Sequence, residues 1–132
     1  MGEWRTFVSN FLKEEQVEDL AVVDYANNCR VWASKPGGRL AAISPLEVGI
    51  IIGQDRKSFL QTGITIAGKN YCVIRDSLLV PNNGVMDLRS KESDYHSTCI
   101  GMSPNVLIFM KGKKGVHGGN LNKRMHDIIK DF

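Results

Sequence analysis

Apolar residues at Trp4, Phe7, Val8, Phe11 and Leu12 follow the i, i+3, i+4, i+7, i+8 spacing that lines one stripe of a helix, so residues from about 3 to 14 are predicted to be helical. The period then changes. EDLAVVDY (18–25) and CRVWAS (29–34) are rich in β-branched and aromatic residues and flank Ala-Asn-Asn, which predicts a hairpin. Ser44, Pro45 and Glu47 combine an N-cap serine, a proline at the first helical position and a glutamate three residues after the cap, so a helix is predicted from there to about residue 53. A second short helix is expected over 55–60.

From residue 64 the pattern alternates as strands do. ITIA (64–67) and NYCVIRDS (70–77) flank Gly68-Lys69, SLLV and VMDLRS flank Pro-Asn-Asn-Gly at 81–84, and TCIGM and NVLIFMKG flank Ser103-Pro104. These read as successive antiparallel hairpins. Leu121, Met125, Ile128, Ile129 and Phe132 then return to helical spacing, with Asn120 as the expected cap. The predicted class is α+β, with helices covering an antiparallel sheet and a helix at each end of the chain.

Composition narrows the picture. A chain of 132 residues is expected to form one domain around one core. With 42% apolar and 23% charged residues it reads as an ordinary soluble protein, and no apolar run nears the roughly 18–20 residues that cross a bilayer. The N-terminus lacks the basic start and apolar centre of a signal peptide. Cys29, Cys72 and Cys99 are odd in number and far apart, without a CxxC, which argues against a disulfide framework or a zinc site and for a reducing cytosol. The net charge is +3, and from Lys111 to Arg124 there are five basic residues and no acid. Such a run ordinarily solvates a loop and a helix end; it also attracts a negative partner. Lys111 is out of place at the end of the apolar NVLIFM run, as either a snorkelling side chain or a partner contact.

The stretch KKGVHGG (113–119) invites a chemical reading that its residues do not support. It lacks the G-x-x-x-x-G-K-[ST] order by which backbone amides and a lysine cradle phosphates. No serine or cysteine motif pairs with His117, and His96, His117 and His126 lack ligand spacing, so neither an enzyme nor a metal site is expected. What remains is geometry: glycines at 112, 115, 118 and 119 allow tight turning and the close approach of another surface.

The motifs GEWxxF, VWAS, ISPLEVG, GQDRKSF, CVIRDSLL, MDLRSK and GVHGGNLNKR, in that order along nearly the whole chain, resemble the profilin family of small cytosolic proteins that bind monomeric actin. The resemblance implies a central antiparallel sheet with the N- and C-terminal helices packed together on one face and short helices on the other. It also implies an actin surface on the last strands, the following turn and the start of the C-terminal helix. Carried over, the actin-facing residues are Val73, Arg75, Arg89, Lys91, Val116, His117, Gly119, Asn122 and Lys123, with His126 and Asp127 where the family usually has an aromatic and a glutamate. For Val73 core packing is an equal alternative, and for Arg75 and Arg89 a surface ion pair is the plain alternative.

The family also binds proline-rich peptides in an aromatic groove between the terminal helices, onto which Trp4, Phe7, Trp32 and Phe132 fall. Phe7 replaces the usual tyrosine, Asp131 stands where a histidine is common, and the chain stops before the final aromatic. Each loss is worth about 1–2 kcal/mol, so weak poly-proline binding is expected. Phosphoinositide binding is implied for Arg89, Lys113, Lys114, Lys123 and Arg124, in competition with actin. The expected protein is a monomeric cytoskeletal regulator in the cytoplasm. Its expected partners are actin, phosphoinositides and, weakly, proline-rich peptides, with no cofactor, metal or nucleic acid. The alternative is a peripheral phosphoinositide-binding adaptor without strong actin activity.

Overall fold

The computed structural model describes residue 10 and residues 16–26, 28–91 and 96–130. Of the expected N-terminal helix only Asn10 is among them; Trp4, Phe7, Asp131 and Phe132 lie outside the described residues. The chain runs β1 (Val17–Asp24), β2 (Arg30–Ser34), a 3-10 turn (Arg39–Ala42), α1 (Pro45–Ile51), α2 (Lys57–Thr62), β3 (Ile64–Ile66), β4 (Lys69–Ser77), β5 (Val85–Ser90), β6 (Ser97–Ser103), β7 (Val106–Gly112) and α3 (Gly118–Ile129).

The strands form one antiparallel sheet in the order β2-β1-β7-β6-β5-β4-β3. Side chains alternate between its faces, and both faces are covered. On one, Leu107, Phe109, Met86, Leu88 and Ile100 meet Val48 and Ile51 of α1 and Phe59 of α2. On the other, Ile108, Met110, Val85 and Cys99 meet Leu121, Met125 and Ile128 of α3. Double coverage explains why β7 reads as an unbroken apolar run rather than an alternation. Lys111 ends that run opposite the buried Asp19 of β1, whose two carboxylate oxygens accept the backbone amides of Leu20 and Leu40.

Local chemistry sets several boundaries. Ser44 Oγ accepts the Glu47 amide while Glu47 Oε1 accepts the Ser44 amide, a complete capping box that starts α1 behind Pro45. Arg56, from GQDRKSF, is a structural clamp. Its Nε and Nη2 donate to the Asp76 carboxylate at 2.9 and 2.8 Å, its Nη1 donates to the carbonyls of Ile51 and Gly53 behind α1, and its guanidinium stacks 4.9 Å from the Phe59 ring centroid.

Three expectations need correction. SLLV is not a strand: Ser77 O accepts the amides of both Val80 and Gly84, so the chain turns at once, burying Leu78 and leaving Leu79 and Val80 exposed. The β3–β4 turn is centred on Ala67-Gly68 rather than Gly68-Lys69, with φ of 52° and 80°, the left-handed pair that a two-residue hairpin requires. The last helix starts at Gly118, two residues before the expected cap; His117 occupies the cap position and its carbonyl accepts the amides of Asn120 and Leu121.

Candidate functional site

The candidate surface lies where α3 crosses the sheet. A Cβ on Gly101 would sit 2.4 Å from Met125 Sδ and 2.9 Å from Ile129 Cγ2, so the missing side chain lets the helix lie this close to β6. At the other end, a Cβ on Gly118 would lie 3.5 Å from Ser97 Oγ, which sets the start of α3 over the start of β6. Leu121, Met125 and Ile128 face inward; His117, Gly119, Lys123 and Asp127 are exposed, and Asn122 and His126 are half-buried along one flank. Val116 is also half-buried and leans on the core under α3.

The flank with Asn122 meets the outer face of β5. Asn122 Nδ2 donates to both oxygens of Asp87, at 3.0 and 2.9 Å, and the buried Cys99 thiol donates to Asp87 Oδ1 at 3.7 Å. Burial, and secondarily the Asp87 carboxylate beside it, push the Cys99 thiol well above its ordinary pKa, so it stays protonated. Two residues along the same face, exposed Arg89 stands opposite Ser97 of β6 on one side and Cys72 of β4 on the other. Arg75 stands opposite Asp87 and is exposed. Arg75, Asp87, Arg89, Asn122 and the start of α3 are thus brought together.

Other predicted residues fall elsewhere. Val73 is corrected: it is 7% exposed and packs in the core on the side of α1 and α2. The register of β4 slips between Val73 and Arg75, so the intervening Ile74 bulges outward and is 55% exposed. Ile74, Cys72 and Asp87 are the residues that the sequence reading missed. The alternation in MDLRS contained the signal for Asp87, because it places residues 87 and 89 on one face and 86 and 88 on the other; nothing in CVIRD announces the bulge. Lys91 reaches from the end of β5 toward α2, its Nζ donating to Thr62 O at 3.3 Å. Lys113 and Lys114 are exposed on the turn before α3, where Lys113 N donates to Gln16 O. Arg124 is half-buried and engaged in an interaction of its own. Trp32 is half-buried against the core under α3. Past His126, an open groove of about 570 Å³ between α3 and the 78–84 turn is lined by Leu78, Val80, Met102 and Ile129.

Comparison with known families finds one that matches residues 2–132, described as profilin. The chain belongs to the profilin family. Profilin-3 of the rat is 50% identical over 129 residues, covering 98% of this chain and 94% of that one. A crystal structure of rat profilin 2a superposes with a TM-score of 0.94 at 38% identity, covering 98% of this chain and 94% of the other. Mouse profilin IIa, solved in complex with a double repeat from the FH1 domain of mDia1, gives 0.93 at 37% identity, with 97% and 94% covered. The stretch KPGGRLAAISP has the wording of the third vertebrate type, and 50% identity to profilin-3 against 38% to profilin 2a agrees with it. Profilins are not enzymes, so the non-enzymatic expectation rests on membership. The two-sided sheet, with α3 on one face and the short helices on the other, is the profilin fold.

Proposed function

We propose that this profilin binds monomeric actin through the surface formed by β4, β5 and the first half of α3, and so regulates the supply of monomers for filament growth. The observation that carries this reading is the meeting, on one face of the sheet, of exposed Ile74, Arg75 and Arg89 with His117, Gly119 and Asn122. One apolar anchor, a cationic border and a glycine-lined helix start form a mixed surface. Packing at its centre supplies affinity, and the charges raise the association rate with an acidic partner. Of the positions carried over from the family, Arg75, Arg89, His117, Gly119, Asn122 and Lys123 fit this role; Val73 does not, and Ile74 takes its place.

Phosphoinositide head groups are the second ligand of this reading, through Arg89, Lys113, Lys114 and Lys123, with Arg124 beside them. Sharing Arg89 and Lys123 makes lipid and actin compete. Peptide binding between the terminal helices is the third function, supported by the likeness to mouse profilin IIa and weakened by Phe7 and Asp131. The cytoplasm is the compartment where these ligands meet.

The deciding experiment is co-elution with monomeric actin, repeated with His117→Glu and Lys123→Glu, alongside flotation on phosphoinositide vesicles. A complex weakened by both charge changes supports the actin reading. Absence of any actin complex, with vesicle binding retained, overturns it in favour of a lipid-binding adaptor.

A further inference from the structure

Asn122 is a neutral amide whose two ends look alike in shape and opposite in chemistry: nitrogen donates and oxygen accepts. What surrounds it decides which end faces outward. Asp87 is half-buried under α3, and its carboxylate can only accept. It lies 3.0 and 2.9 Å from Asn122 Nδ2. Turned the other way, the amide oxygen would face two carboxylate oxygens with no proton between them, so this orientation is fixed by chemistry. Asp87 is itself held from a second side, since the Cys99 thiol donates to it. The amide oxygen of Asn122 has no hydrogen-bond partner among the described residues, and it is not one of their sealed, unsatisfied polar atoms.

We infer that Asp87 is a positioning residue of the interaction surface, holding Asn122 with its oxygen outward so that it selects a hydrogen-bond donor on the partner. The inference rests on the actin-binding reading of the surface. Asp87 touches no partner itself. It acts through Asn122, and by joining β5 to the flank of α3 it also sets the place from which the oxygen is offered.

Removing its charge gives a prediction opposite in sign to the electrostatic one. Arg75 stands opposite Asp87, and Arg89 lies two residues along the same face. Neutralising Asp87 therefore makes the surface more positive, which by itself speeds association with an acidic partner. Loss of Asn122 orientation instead weakens the complex.

The test measures binding of monomeric actin by the wild type, Asp87→Asn, Asn122→Ala, the double variant Asp87→Asn/Asn122→Ala and the swap Asp87→Asn/Asn122→Asp. Asp87→Asn is expected to weaken binding about fivefold, the worth of one hydrogen bond. It should add nothing further when residue 122 is alanine. The swap should restore most of the loss, because residue 87 then donates and residue 122 still offers an acceptor outward. In the wild type the Asn122 side-chain amide protons should exchange slowly with solvent, and Asp87→Asn should speed that exchange while the backbone amides of α3 keep their protection. Unchanged affinity for Asp87→Asn, additive losses, or a swap no better than the single change overturns the inference while leaving the actin reading intact. Failure of the wild type to bind actin overturns both.

Discussion

Replacing Val73 by alanine removes two methyl groups from a closed cluster and is expected to lower stability by about 2 kcal/mol in chemical denaturation, with actin affinity unchanged in the folded fraction. Ile74→Ala should do the reverse: its side chain is exposed, so stability should stay within about 0.5 kcal/mol while actin binding weakens. Equal effects of the two changes on binding would show that β4 does not present this face. The sequence held both residues in one apolar strand, and their separation depends on a single extra residue in the β4–β5 ladder. A bulge arises from pairing between strands, so residues 72–76 alone do not encode it. The cysteines divide in the same way. Cys72 is exposed and should react with a thiol reagent in the native protein, whereas Cys99 should react only on unfolding. Because burial raises the Cys99 pKa in the folded state only, the folded protein holds that proton when the unfolded chain has lost it. Stability should therefore fall as pH rises above about 8.5, and Cys99→Ala should flatten that fall; an identical slope in the variant would refute the assignment.

Glu47 shows how one side chain couples elements distant in sequence. Besides completing the cap of α1, its Oε1 accepts the Ala67 amide and its Oε2 the Gly68 amide, each at 3.0 Å, so the same carboxylate anchors the β3–β4 turn. Glu47→Ala leaves these donors without their charged acceptor and should cost about 2–3 kcal/mol. Hydrogen exchange at Ala67 and Gly68 should rise more than at the centre of the sheet; uniform acceleration would mean that only global stability had changed. The capping half of this role was legible, because Ser44, Pro45 and Glu47 interact within four residues. The anchoring half was not, since it spans 20 residues of chain and exists only after the hairpin docks. The same distinction explains the start of α3. Asn120 looks like a cap by residue type, yet the helix extends back to Gly118, and His117, whose carbonyl accepts the Asn120 and Leu121 amides, takes the cap position. SLLV was misread for a related reason: three apolar residues suggested a strand, but two hydrogen bonds to Ser77 O close a turn that buries only the first of them.

At the scale of the whole molecule, the covered sheet assigns separate tasks to its two faces. The face under α1 and α2 is closed by apolar packing and the Arg56–Asp76 pair, and it holds the strands in place. On the other face α3 covers β5, β6 and β7 and leaves Cys72 and Arg75 of β4 and Arg89 near the end of β5 exposed beside it. Of the five basic residues from Lys111 to Arg124, Lys113 and Lys114 lie on the turn before α3 and Lys123 and Arg124 at the middle of that helix, whereas Lys111 faces the other side of the sheet beside Asp19 and Arg39. A net charge of +3 is too small to govern solubility, but Lys113, Lys114, Lys123 and Arg124, on the turn and in α3, give that side of the molecule a positive field. The rate of association with actin should therefore drop steeply as salt rises, because charges at the rim act across water and are screened beyond about 10 Å at 0.1 M. On the proposed reading the dissociation rate should change little, since Ile74 and Asn122 would act only at contact. Stopped-flow measurement over a salt series separates the two rates, and His117→Glu and Lys123→Glu should each flatten the salt dependence of association. A salt effect carried mainly by dissociation would place the basic residues at the centre of the contact and reverse the division of labour between charge and packing.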